Sequence, residues 1–341
     1  MFDIESARAL LADHHFLIAM AAAGGLCVGS FLNVVIYRLP LIIEAAYAED
    51  HPYETTYRRI AQARQTQQTH QAEQKPKARL TLASPGSHCP TCKRPVRPRE
   101  NIPVLSYLLL GGRCAGCGTP IPIRYPLIEL GSGILSAVSA WHFGPTLQLA
   151  GALLLLWTLT ALIFIDIDHR LLPDCITLPL LWLGLLLNSA AVFVPLYDAV
   201  WGAVTGYMVL WSVYWLYRIY TGKDGMGYGD FKLLAALGAW LGWSGLLPML
   251  ILASLGAAMG GVWKTFMAER AHTRAKAEAK AKVKAYVDAI ERPRAGYGVT
   301  LSHVYDDIED DTSDQTIAFG PYLAIAGAAA LFYETARWVA P

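Results

Sequence analysis

Eight long stretches with little or no charge limit what this chain can fold into more than any other feature. They run over roughly 16–37, 125–143, 147–165, 172–194, 199–217, 231–243, 245–267 and 317–339. A helix crossing a bilayer needs about 20 consecutive apolar residues. In hydrocarbon every backbone N–H and C=O must find a partner within the protein, so a spanning segment of this kind is helical. The fold class expected is an all-α polytopic membrane protein with about eight transmembrane helices. Composition agrees, since 54% of residues are hydrophobic and 16% charged, against about 25% charged in a soluble domain. The segment 231–243 is the shortest and relies on Trp240 and Trp243 as interfacial anchors. The alternative there is an amphipathic or buried half-helix. The first segment does not read as a signal peptide, because Asp3, Glu5, Arg8 and Asp13 before it are net negative and its apolar run continues past Gly24-Gly25 to Tyr37.

The basic residues set an orientation. With the N-terminus outside, the inside loops are 38–124, 166–171, 218–232 and 264–316. These hold 26 of the 28 lysines and arginines, leaving Arg8 and Arg337. Positive charge is retained on the cytoplasmic side, so both long loops are expected in the cytoplasm. The formal net charge of +1 identifies no partner beyond the lipid bilayer, and no nucleic acid is expected.

The chain divides into an N-terminal segment with the first helix (1–43), a cytoplasmic loop (44–124), a membrane core (125–267), a polar cytoplasmic insertion (268–316) and a last helix (317–341). Residues 44–80 are polar and read as a solvated helix or a flexible insertion. Residues 84–124 are dense in Cys, Pro and Gly and predict a small compact module. The stretch 268–290 is rich in Ala, Lys and Glu and should be helical. Six carboxylates follow between Asp306 and Asp314 with no base among them. They form a solvated insertion or attract a basic substrate segment; an EF-hand is excluded by the missing glycine. There is no repeat at a solenoid period.

Within the module, Cys89-Pro-Thr-Cys92 and Cys114-Ala-Gly-Cys117 are two C-x-x-C knuckles separated by 21 residues. Four thiolates at this spacing can close a tetrahedron around one zinc ion, and such a saturated site is structural. A mononuclear iron site of similar geometry and unmetallated thiols are the alternatives. Disulfides are rare in the cytoplasm. Cys27 and Cys175 lie in apolar segments and are expected as buried packing residues.

Ionisable groups in or beside membrane spans are costly and usually functional. Asp166 and Asp168 sit where the third helix should meet the cytoplasm. Being two apart, they point about 200° away from each other, so one at most faces a given site. The run Gly225-Met-Gly-Tyr-Gly-Asp230-Phe-Lys232 opens a later helix. Its glycines let a peptide backbone come close, and a carboxylate in the first turn is favoured by the helix dipole. Two carboxyls brought together share a proton, which is what amide hydrolysis by water demands: one group accepts a proton while the other donates.

Together these motifs resemble the bifunctional type IV prepilin peptidases, also called leader peptidases/N-methyltransferases, intramembrane aspartic peptidases of the Gly-x-Gly-Asp type. The resemblance is carried by Gly29-Ser-Phe-Leu-Asn-Val-Val-Ile-Tyr-Arg-Leu-Pro40, the two C-x-x-C pairs, Asn101-Ile-Pro-Val-Leu-Ser-Tyr107 and Arg124-Tyr-Pro-Leu-Ile-Glu129. Asp166, seven residues before Pro173, and Gly227-Tyr-Gly-Asp230-Phe-Lys-Leu-Leu complete it. It implies that Asp166 and Asp230 are the catalytic pair, and that the module with Gly112 is tied to methylation of the new N-terminus by S-adenosylmethionine. The implied substrates are type IV prepilins and the pseudopilins of type II secretion, with a short basic leader, a Gly before the cut and then a hydrophobic helix, processed at the cytoplasmic face of the bacterial inner membrane. A peptidase without transferase activity, a transporter with broken helices and a zinc-bearing scaffold are the competing readings. A transporter predicts ionisable groups near the bilayer midplane, and a scaffold leaves Gly-x-Gly-Asp unexplained. The methyl-donor ligands and oligomeric state are left open by the sequence.

Overall fold

The structure is a computed structural model that describes residues 13–50, 80–223, 225–290 and 318–339. The polar stretch 51–79 and the acidic run at 306–314 lie outside the described residues. All eight apolar segments are helices. They are α1 (His14–Asp50), α3 (Arg124–Phe143), α4 (Leu147–His169), α5 (Asp174–Ser189), α6 (Leu196–Thr221), α7 (Tyr228–Leu241), α8 (Leu246–Ile290) and α9 (Gly320–Val339), with the short α2 (Leu105–Leu109) in the Cys-rich loop. Helix α8 continues through the Ala/Lys/Glu-rich stretch to Ile290, as its composition predicts.

Among the described residues, four helices are long and apolar enough to cross a membrane: α1, α4, α6 and α8 over Leu246–Arg270; α5 and α9 over Gly320–Tyr333 are apolar but shorter. Helix α3 is diluted by Ser132, Ser136 and Ser139, all fully buried. It packs on α1 through small residues. A Cβ added to Gly29 would lie 2.7 Å from the Glu129 Cα, and one on Gly25 would strike the Ser132 and Ser136 side. Close backbone approach through small residues is how helices associate where no water drives them together.

The two cysteines expected in the packing core are not there. Helix α1 buries Gly25, Gly29, Leu32, Asn33 and Ile36. Cys27, two residues off this stripe, points the other way and is exposed. Helix α5 likewise buries Thr177, Leu180, Gly184 and Asn188, which leaves Cys175 exposed.

Helix α7 is the hub. Its 14 residues rise about 21 Å, short of the roughly 30 Å hydrocarbon core. Apart from Lys232, every residue from Asp230 to Leu241 is buried, packed by α5, α6 and α9. This is the buried half-helix, not the interfacial one; Trp240 is fully buried and donates from Nε1 to the Leu180 carbonyl. A helix ending inside the protein strands its last carbonyls. Asn188, fully buried on α5, answers this. Its Nδ2 donates to the carbonyls of Ala239 and Trp240 at 2.9 and 3.0 Å. Its Oδ1 accepts from the N–H groups of Phe193 and Val194. Each such bond contributes about 1 kcal/mol, and leaving a buried group unpaired costs about 1–3 kcal/mol.

Candidate active site

Asp166 lies in the last turn of α4 and Asp230 in the first turn of α7. They are 6% and 7% exposed, and near enough for the charge of one to act on the other. Helix periodicity separates the roles of the two α4 aspartates as the sequence predicts. Asp166 faces inward, whereas Asp168 pairs with Arg124 of α3 at 2.7 Å, and Arg124 also stacks on Phe164. The ends of α4, α5, α7 and α9 meet here. Lys232 of α7 bridges to both carboxylate oxygens of Asp174 on α5 at 2.7 Å.

The three glycines around Asp230 do different work. A Cβ on Gly225 would run into the Tyr217 ring at 2.6 Å, and one on Gly229 into Leu172 at 2.7 Å. Among the described residues, a Cβ on Gly227 would meet nothing within 4 Å. Gly227 is extended, with φ −77° and ψ 145°, just ahead of α7. It therefore presents open backbone beside Asp230, where a substrate strand has room.

Sequence reasoning missed the third wall of this site, the start of α9. The Gly320 N–H is turned to the Asp166 carboxylate. A Cβ there would lie 2.5 Å from Asp166 Oδ2 and 3.1 Å from Leu172 Cδ1. Leu172, in the short connection between α4 and α5, is wedged between Gly229 and Gly320. The available signal was Phe319-Gly320-Pro321 at the head of the last apolar segment, a Gly-Pro pair just where a helix begins.

The four knuckle cysteines converge at a second centre. Their sulfurs all lie within 4.8 Å of one another, with Cys89 and Cys117 3.7 Å apart and Cys92 and Cys114 4.0 Å apart. The knuckles are copies of one design. Each runs Cys-x-x-Cys-x-x-Pro, and each is closed by a bridge, His88 with Pro95 and Arg113 with Pro120. Each has a left-handed residue after its second cysteine, Lys93 at φ 59° and Gly118 at φ 72°. The hydroxyl and N–H of Thr119 hold the Cys117 thiol down to about 6. Although the Arg94 N–H pulls the other way, burial and the neighbouring sulfurs push Cys92 up to about 11. Crowded thiols cannot all ionise alone, and a bound cation removes that conflict. The cluster could hold a metal ion.

Gly112 faces Tyr107. It holds φ +68°, and a Cβ on it would meet the Tyr107 hydroxyl at 2.9 Å and ring at 3.0 Å.

Two family profiles cover most of the chain: a bacterial peptidase A24 N-terminal domain over residues 24–143 and the type IV leader peptidase family over 153–262. The chain belongs to the type IV leader peptidase family. Among relatives named prepilin leader peptidase/N-methyltransferase, one from Stutzerimonas stutzeri is 44% identical over 309 residues, 91% of this chain and 88% of its own. One from Pseudomonas aeruginosa is 52% identical over 239 residues, covering 69% and 77%. One from Neisseria gonorrhoeae is 47% identical over 246 residues, covering 70% and 79%. No solved structure matches this leader peptidase family member.

Proposed function

We propose that this protein cleaves the basic leader from type IV prepilins and type II secretion pseudopilins using Asp166 and Asp230, and then N-methylates the new N-terminus. The observation that carries the reading is the convergence of two nearly buried carboxyls from separate helices at the same end of the bundle. One carboxylate takes a proton from water as the water attacks the scissile carbonyl. The other, protonated, donates to the carbonyl oxygen; as the tetrahedral intermediate collapses, the first passes the proton it took from water to the departing amine and the second recovers one from an intermediate hydroxyl. Substrate backbone lies along the open Gly227 side.

The bilayer arrangement follows from the loops. On this reading the eight helices form one bundle, with α7 as a half-length insert and with the module, the aspartates and the polar insertion on the cytoplasmic side of the inner membrane. A prepilin's basic leader stays on that side for the same electrostatic reason, so its cleavage point meets the aspartates at the membrane surface. On this reading 125–267 forms the peptidase core with the 317–341 helix against it, and 84–124 the methylation-linked module.

Zinc suits the four-cysteine centre. A tetrahedron with metal–sulfur bonds of about 2.3 Å has edges of about 3.8 Å, which the 3.7 and 4.0 Å separations bracket. The ion is structural, since four thiolates leave no open position. Purified protein is expected to carry one zinc per chain, and Cys→Ser at Cys89, Cys92, Cys114 or Cys117 to release it. Elemental analysis of fresh, reduced protein checks this, and metal-free wild type would refute it.

The whole reading is tested by incubating the purified protein with a prepilin and S-adenosylmethionine. Mass spectrometry should show loss of the leader and one methyl group on the new N-terminus. An intact prepilin rules out the peptidase; a cleaved but unmethylated pilin rules out the transferase alone.

A further inference from the structure

A cavity of about 470 Å³ lies between the four-cysteine module and the cytoplasmic halves of α1 and α3. Small-molecule sites commonly occupy about 300–1,000 Å³. Its walls include three tyrosines, Tyr37, Tyr107 and Tyr125, and two carboxylates, Glu100 and Glu129. We infer that this cavity is the S-adenosylmethionine site, with the tyrosines taking the adenine and sulfonium and Glu129 serving the incoming amine. The inference rests on the methyltransferase reading and assigns it a place.

The chemistry of the wall fits the ligand. Aromatic faces stack a purine and attract a cation. Carboxylates accept hydrogen bonds from ribose hydroxyls and from an ammonium. The two carboxylates are not equally free. Glu100 is committed to Arg94 at 2.6 Å and to the Arg97 N–H at 3.2 Å, which hold its carboxyl below the usual range, the Arg97 N–H foremost. Glu129 accepts the Val104 N–H on Oε2 at 2.7 Å, which leaves its other oxygen for the cavity. Val104 pays for that bond with φ 60°, a conformation a β-branched residue rarely adopts and one that clusters at binding sites.

Methyl transfer joins the amine lone pair to the methyl carbon and breaks the carbon–sulfur bond with its electrons going to sulfur, and the nitrogen then sheds a proton. The free oxygen of Glu129 orients the amine and receives that proton, which passes to solvent. A smaller adjoining cavity shares Asn33, Tyr37 and Tyr125 with the large one and extends to Asp168 and His169 at the end of α4. Asp166 faces the opposite side of that helix end. A cleaved pilin N-terminus therefore reaches the donor by passing around the end of α4, a short path between two separate sites. Gly112 enters the scheme as a positioning residue. Any side chain there pushes the Tyr107 ring, which is a wall of the cavity.

The test is binding as well as turnover. Wild type in detergent is titrated with radiolabelled S-adenosylmethionine by equilibrium dialysis, and the label is cross-linked by ultraviolet light and mapped by mass spectrometry. Tyr37→Ala and Glu129→Gln should weaken binding or methylation of a pre-cleaved pilin at least tenfold. Zinc content and prepilin cleavage should stay within twofold of wild type. Ser30→Phe, which fills the cavity from α1, should abolish labelling. Cross-links are expected on peptides carrying Tyr37, Tyr107 or Tyr125. Wild-type affinity and methylation in all three variants, or labels mapping elsewhere, would overturn the assignment. A wild-type protein that binds no donor and transfers no methyl group overturns the methyltransferase reading itself.

Discussion

Asp166→Asn and Asp230→Asn are each expected to remove leader cleavage by at least about 10²–10⁴-fold, the usual worth of a positioned acid or base. An amide can neither ionise nor take its part in exchanging the proton that the pair must share. Each variant should still insert, because the amide fills the same volume and keeps hydrogen-bonding capacity at a site where the charge itself is costly. Asp168→Asn is the control. Its partner Arg124 is 38% exposed in its side chain, and exposed ion pairs are worth about 0–1 kcal/mol, so cleavage should stay within about fivefold. Single-turnover cleavage of a prepilin in detergent, with zinc content as a measure of folding, decides the matter. Near-normal rates for Asp166→Asn or Asp230→Asn would remove these residues from the mechanism.

Gly320→Val should be the most damaging change that touches no ionisable group. Its Cβ would stand 2.5 Å from Asp166 Oδ2, so either the carboxyl rotates or the start of α9 withdraws, taking with it the N–H turned to that carboxyl. Misplacing a reacting group by about 1 Å costs on the order of 10² in rate. We expect Gly320→Ala to lower kcat for cleavage at least tenfold and Gly320→Val about a hundredfold. KM should change little, because the substrate strand is placed against Gly227. Methylation of a pre-cleaved pilin should persist, since the cavity lies across α4. If Gly320→Val cleaves at the wild-type kcat, the start of α9 is not part of the site. If methylation and zinc fall together with cleavage, the defect is one of folding.

Much of this architecture could be read from the sequence because its causes are local. Apolar length sets helix number, and the two-residue offset between Asp166 and Asp168 decides that one faces inward and the other outward. The C-x-x-C spacing brings thiols together within each knuckle. The duplicated Cys-x-x-Cys-x-x-Pro frame was also present in the sequence, but its equivalence shows only when both turns are seen to close with the same bridge and the same left-handed residue. Cys27 and Cys175 show the limit of reasoning from an apolar neighbourhood. A hydrophobic segment does not say which side of its helix meets a neighbour, and both cysteines fall on the side that does not.

The sequence by itself determined an all-helical chain and the family, and it singled out the two aspartates and the four-thiol module. Periodicity, spacing and charge act over a few residues and need no knowledge of partners. Only the tertiary structure decided that α7 is a buried half-helix whose stranded carbonyls are met by Asn188, 51 residues away in sequence. It alone put Gly320 against Asp166, Gly112 beneath Tyr107 and Glu129 beside Val104. Each of these is a contact that apolar length and local spacing do not specify. Such contacts depend on which helix faces pack together, and that choice is made by the whole bundle rather than by any one stretch of it.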